Sequence, residues 1–138
     1  MIVFLDTVGL LALWDESDQW HPAAHACFID LLASRADLVT TSFVLLECGN
    51  AVARRPYRPA VGRLRQQLEQ GNRLIAPTVT DWQSAWAAYA SEEAGGAGIV
   101  DHVSFVVMRR LGVSKAFTND RHFRSAGCLL YTSPSPRD

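Results

Sequence analysis

Ile2-Val3-Phe4-Leu5-Asp6-Thr7 opens the chain with four apolar residues that run straight into a carboxylate. Consecutive apolar positions without alternation mark a short strand covered on both faces, as in a parallel sheet. Asp6 then falls at the carboxyl end of that strand, and Thr7 is placed to cap a helix over 8–14. A buried carboxylate without a partner costs several kcal/mol or takes up a proton. The same arrangement recurs three times. Glu47 follows Phe43-Val44-Leu45-Leu46. Asp101 sits behind Ile99-Val100 and ahead of Val103, Phe105, Val106, Val107 and Met108. Asp120 closes Ala116-Phe117-Thr118-Asn119.

Working outward, strands and helices alternate. After a polar turn over 15–19, Pro22 suits a first helical turn, so a helix is expected over 21–34 with Ala26, Ile29, Leu32 and Ala33 inward. Leu38-Val39-Thr40 reads as a strand. Thr41 or Ser42 caps a helix running to about Arg54. Pro56 and Pro59 interrupt it, and a basic helix follows over 60–70, stopped near Gly71. Leu74-Ile75-Ala76 is a third strand, and Thr80 or Asp81 opens a helix carrying Trp82, Trp86 and Tyr89. A Gly-rich loop, Gly95-Gly96-Ala97-Gly98, leads to a helix over 99–111 ending at Gly112. Lys115 to Asn119 is a fourth strand, and Asp120 to Ser125 a helical turn. The alternation predicts an α/β fold, a mainly parallel sheet with helices on both faces. Sites in such sheets form at the carboxyl ends of the strands. Asp6 and Asp120 fall there, and Glu47 and Asp101 lie on helices that can lean over that edge.

The bulk properties fit one domain. The chain has 138 residues, 49% hydrophobic and 20% charged, enough for a single core. No apolar run approaches the ~20 residues needed to cross a bilayer. No basic region precedes the opening run, so it does not read as a secretory signal. Cys27, Cys48 and Cys128 have no metal-type spacing, and their odd number fits a reducing, cytoplasmic setting. Charge is uneven: seven acids face only Arg35 in residues 1–50, whereas Arg54, Arg55, Arg58, Arg63, Arg65 and Arg73 face only Glu69 in 53–73. A polyanion docking on the basic part is compatible with this; a solvated helical surface is the ordinary alternative.

Four carboxylates in one place repel one another unless a hard divalent cation such as Mg²⁺ sits among them. Such a cation can activate a water and stabilise the leaving oxygen of a phosphodiester. Singly, each acid has a simpler explanation: Asp6 and Asp120 as helix caps, Glu47 paired with an arginine, Asp101 favoured by the helix dipole. Thr7, Asn50 and Ser104 lie beside the acids, the last two at i+3 from Glu47 and Asp101, where they can orient carboxylates or bond locally to backbone. His21 and His25 have an i, i+4 spacing with no evident third ligand. His122 can touch substrate or cap locally, and His102 reads as solvated or structural. Trp82 and Trp86 match one helical face and read as core or interface, and Trp14 and Trp20 flank the acidic turn.

Four stretches give the chain a resemblance to a known family: Val3-Phe4-Leu5-Asp6-Thr7; Thr40-Thr41-Ser42 through Leu46-Glu47-Cys48-Gly49-Asn50-Ala51; Gly98-Ile99-Val100-Asp101-His102-Val103-Ser104-Phe105-Val106-Val107-Met108-Arg109; and Ala116-Phe117-Thr118-Asn119-Asp120-Arg121-His122-Phe123. In this order and spacing they resemble the PIN-domain family, specifically its VapC-type toxin ribonucleases. The resemblance implies a three-layer α/β/α fold and a Mg²⁺- or Mn²⁺-dependent endoribonuclease whose catalytic and metal-binding acids are Asp6, Glu47, Asp101 and Asp120. It implies an RNA substrate, a cognate antitoxin of a type II toxin–antitoxin pair, and a homodimer. Arg54, Arg55 and Arg58 are the candidates for RNA backbone contacts. The alternative is a PIN-like module that binds RNA or protein without cutting. A phosphoacceptor receiver domain fits worse, since Asp6 stands alone and Lys115 precedes its strand. The Gly-rich Glu93–Gly98 segment departs from the polar or aromatic approach common in the family.

Residues 128–138, Cys128-Leu129-Leu130-Tyr131-Thr132-Ser133-Pro134-Ser135-Pro136-Arg137-Asp138, resemble the translation of a transposase-type sequencing adapter. The expected domain is therefore 1–127. The family's last strand is expected to be missing, with Leu129-Leu130-Tyr131 available to pair at the open edge.

Overall fold

A computed structural model describes residues 1–126. The expected adapter segment, and with it the expected loss of a last strand, falls outside the described residues. Four strands form a parallel sheet in the order β3-β2-β1-β4: β1 (Ile2–Leu5), β2 (Asp37–Thr41), β3 (Leu74–Ile75) and β4 (Ala116–Phe117). Helices α1 (Thr7–Trp14) and α2 (His21–Ala33) join β1 to β2; α3 (Ser42–Ala51) and α4 (Pro59–Gln70) join β2 to β3. Helices α5 (Val79–Ser91) and α6 (Ile99–Leu111) lead back across the sheet to β4, and α7 (Arg121–Ser125) follows. The connection reverses direction between β3 and β4, so right-handed crossovers cover both faces of the sheet with helices.

Phe4, Leu5 and Phe117 are fully buried at the centre, and Phe4 N donates to Lys115 O at 2.9 Å. Gly9 sets how close α1 comes to β4, because a Cβ there would lie 2.2 Å from Phe117 O. Only glycine permits that approach. Asp81 ties α5 to α6: it completes a capping box with Thr78 and accepts both Arg110 Nε at 3.0 Å and Arg110 Nη2 at 2.8 Å.

Four local expectations differ from the structure. The buried side of α2 is Ala24 with Cys27, Phe28 and Leu31 against the core, whereas Ile29 and Leu32 are exposed. Ala26 and Ala33 are exposed too. The helix carries two apolar stripes, and periodicity alone does not choose between them. Helix α5 is capped by Thr78 rather than Thr80 or Asp81. Helix α3 ends at Ala51, short of Arg54. Thr7 is the first residue of α1, and Asp6 takes the N-cap position without a side-chain cap bond. Among the described residues no helix is long and apolar enough to cross a membrane.

Candidate metal and phosphodiester site

Strands β1 and β4 are neighbours, yet the chain leaves β1 in one direction and reaches β4 from the other. Their carboxyl ends flank the crevice where open α/β sheets bind ligands. Asp6 follows β1 directly and is 1% exposed. Asp120 caps α7 after β4, accepting His122 N at 2.9 Å. Asp101 stands in the first turn of α6, half-buried, and the Gly98 backbone N–H donates to its carboxylate.

The charges feel one another. Burial, then Asp101, then Asp120 push the Asp6 carboxyl up to about 7, against a hydrogen bond from Thr118 that pulls it down. Burial, then Asp120 and Glu47 push Asp101 up to about 6. Oxygens of Asp101 and Asp120 lie within 4.8 Å of each other and of a His122 ring nitrogen, a spacing that one ion can span. Glu47 differs from the expectation of a buried acid. It is exposed in the middle of α3, because Leu46, 68% exposed, and Glu47 occupy the outer side of a helix whose Val44, Leu45 and Cys48 face inward.

Among the described residues, two buried side-chain oxygens have no hydrogen-bond partner: Asp6 Oδ1 and Thr7 Oγ1, the latter beside the Cys48 thiol. An acceptor-only carboxylate oxygen left bare inside the protein is what a hard cation would satisfy. Together with the crowding of like charge, it shows that the acids fit a divalent ion. Thr118 was not singled out from sequence, yet it links two of them. Its Oγ1 donates to Asp6 Oδ2 at 2.7 Å and accepts Asp120 N at 3.0 Å. A threonine two residues before Asp120 is the only sequence signal for it.

The remaining candidates are spread out. Ser104 is buried, and its hydroxyl donates to Val100 O at 3.0 Å. Asn50 is exposed beside Glu47 on the rim of an apolar groove of about 410 Å³, with Phe43, Leu46, Trp82 and Trp86 in its walls. Trp82 and Trp86 are 46% and 40% exposed, so they belong to a surface rather than the core. Arg54, Arg55 and Arg58 are exposed beyond the end of α3, and Arg58 Nη1 donates to Ala53 O at 3.1 Å. His21 Nδ1 donates to Ala12 O at 2.9 Å and stacks obliquely on His25. His102 is buried and its Nε2 pairs with the Glu92 carboxylate. Burial raises the thiols of Cys27 and Cys48 to about 11 and about 12, so neither is a ready nucleophile.

The PIN-domain profile matches residues 3–127. The chain belongs to the PIN-domain family. A curated relative, the 23S rRNA-specific endonuclease VapC20 of Mycobacterium tuberculosis, is 31% identical over 128 residues, 91% of this chain and 95% of the relative. The crystal structure of M. tuberculosis VapC20, described as a sarcin–ricin loop cleaving toxin, superposes with a TM-score of 0.75 at 27% identity, covering 94% of this chain and 97% of that one. VapBC2 from Rickettsia felis, bound to a promoter DNA fragment, gives 0.64 at 18% identity, covering 94% of this chain and 97% of that one. At that identity the likeness concerns the fold. Within this domain Glu47, although exposed, is near enough to raise the Asp101 carboxyl.

Proposed function

We propose that this PIN domain is a Mg²⁺- or Mn²⁺-dependent endoribonuclease, the toxin of a type II toxin–antitoxin pair acting on cytoplasmic RNA. The observation that carries the reading is the convergence of Asp6, Asp101 and Asp120 at the carboxyl ends of β1 and β4, with Asp6 Oδ1 buried and unpaired. Asp6, Glu47, Asp101 and Asp120 would hold one or two ions. A divalent ion there would supply Lewis acidity, lowering the pKa of water and neutralising charge that develops on the phosphodiester. The protein's own part is to fix the acids. Thr118 holds Asp6 and the Asp120 backbone together, Gly98 N–H orients Asp101, and Thr7 beside Asp6 and Asn50 beside Glu47 are assigned as further orienting donors, whereas the Ser104 proton goes to Val100 O. The VapC20 relative directs the substrate proposal to ribosomal RNA.

Arg54, Arg55 and Arg58, exposed beyond the end of α3, are assigned to the RNA backbone. The apolar groove beside Glu47, with exposed Leu46, Trp82 and Trp86, is assigned to a homodimer contact, and the cognate antitoxin is the expected inhibitory partner. Residues 128–138 are proposed to be adapter-derived; genomic sequence continuing past Asp138 in the source read would remove that proposal.

The deciding assay is cleavage of 23S rRNA with Mg²⁺ or Mn²⁺ by the unaltered chain and by Asp101→Asn. Cleavage that requires the ion and is lost in Asp101→Asn is expected. Equal cleavage by both removes the catalytic assignment, and none by either favours a PIN-like binding module.

A further inference from the structure

The loop between α5 and α6 is anchored at three points, and two of them reach the acids. At its start Glu92 pairs with the buried His102 Nε2 of α6. At its end the Gly98 N–H donates to Asp101. In its middle Gly95 O accepts from His122 Nε2 at 3.1 Å. The other face of that ring is engaged as well. His122 Nδ1 lies 2.9 Å from Asp120 Oδ1, the oxygen that also accepts the His122 backbone N–H. His122 therefore spans a carboxylate and a loop carbonyl, two acceptors that it joins by donating from both ring nitrogens, as the imidazolium does.

The glycines of this segment make the span possible. Gly95 has φ +94°, which places its carbonyl toward His122 by a backbone conformation that other residues rarely adopt. A Cβ on Gly96 would lie 2.9 Å from the Glu92 Cβ, so a side chain there would disturb the Glu92 anchor. The Gly-rich departure from the family pattern thus has a structural use.

We propose that His122 is a positioning residue that bridges Asp120 to Gly95, so that the 92–98 loop sets the separation of Asp120 from Asp101. The inference rests on the metal-site reading, and it assigns His122 to holding a carboxylate rather than to holding the ion. Its ring nitrogens are both occupied by the bridge. The two ends of the bridge can be broken separately. His122→Ala removes the ring, and Gly95→Ala strains the carbonyl out of place while its Cβ meets nothing within 4 Å.

The test is Mn²⁺ binding to the full chain, followed by the electron paramagnetic resonance of free Mn²⁺, with the metal-free melting temperature of every variant alongside. The unaltered chain binds Mn²⁺. Either substitution weakens binding by about 10–100-fold, the usual effect of removing a group that orients a metal ligand. The double variant binds no more weakly than the worse single one, because both break one bridge. The melting temperature of Gly95→Ala stays near that of the parent, so the loss is not one of folding. Parental affinity in Gly95→Ala beside a large loss in His122→Ala overturns the bridge and makes His122 a ligand. Losses that multiply in the double variant also overturn it. Should the unaltered chain fail to bind Mn²⁺, the metal-site reading falls first and the bridge with it.

Discussion

Ionising Asp6 in the absence of a cation should destabilise the protein, and the structure sets the size of the effect. The folded state holds the Asp6 proton to about pH 7, whereas a free aspartate gives it up near 3.8. Between those values the native state binds more protons than the unfolded one, so stability falls as pH rises through this window. The full difference corresponds to about 4 kcal/mol. Asp101, raised to about 6, acts in the same direction. His122, raised by its hydrogen bonds to Gly95 and Asp120, adds stability below its folded pKa that is lost above it, again the same sense. Asp15 and Asp81 are lowered, so their contributions change below about pH 4 and leave the window alone. The expected result in EDTA is a melting temperature lower at pH 7.5 than at pH 5 by on the order of 10 °C. Mg²⁺ or Mn²⁺ at pH 7.5 should recover most of it, since a ligand of the native state stabilises by mass action. Asp6→Asn keeps an oxygen to accept from Thr118 Oγ1 and removes the charge, at the cost of about 1–3 kcal/mol for a buried unpaired amide. It should flatten the pH dependence, stand at least as stable as the metal-free parent at pH 7.5, and lose the response to the cation. Unfolding scans across pH 5–8 decide the matter. A metal-free parent equally stable at both ends, or an Asp6→Asn variant with the parental slope, would refute the reasoning.

Thr118→Val should keep the packing and lose both the hydrogen bond to Asp6 and the acceptor for Asp120 N, lowering Mn²⁺ affinity about 10-fold and stability by about 1–3 kcal/mol; calorimetric titration and urea unfolding read the two effects. Gly9→Ala should destabilise by at least about 2 kcal/mol, because the new Cβ would lie 2.2 Å from Phe117 O and α1 must lift from β4; an unchanged urea midpoint would contradict that close approach. Trp86→Glu should halve the mass seen by light scattering if the groove beside Glu47 is the dimer contact, since a charge is placed in an apolar face.

The fold was legible where pattern and position agreed. The run Ile2–Leu5 has no alternation and ends in a carboxylate, so strand, burial and site edge were readable together. The helix of Asp101 was readable because Gly98 and Gly112 bracket it, and the structure puts its ends at Ile99 and Leu111. Helix α2 was misread because Ala24-Cys27-Phe28-Leu31 and Ala26-Ile29-Leu32-Ala33 satisfy the same period. Which stripe faces inward depends on where α1 and the sheet lie, and that is tertiary information. The same limit applies to Glu47. An apolar run on a helix wraps around it, so Leu46 and Glu47 emerge on the outside although Val44 and Leu45 beside them are buried.

What sequence missed at the site are the small groups that hold the acids. Aspartates are visible in a chain because their charge is out of place among apolar neighbours. Thr118 has no such contrast, yet it is fully buried and serves two acids 114 positions apart in the chain, Asp6 through its hydroxyl proton and Asp120 through its lone pair. Its role exists only because β1 and β4 pair in parallel, Leu5 opposite Phe117, which brings the residues after each strand side by side. The Gly95 carbonyl is harder still to foresee, since a backbone group has no identity in the sequence. The register of β1 on β4 thus fixes where Asp6 and Asp120 meet, while the loop before α6 and the histidine after Asp120 fix how far Asp101 stands from them. A substitution at Gly9, which sets the α1–β4 distance, should therefore disturb the metal site although no atom of Gly9 belongs to it.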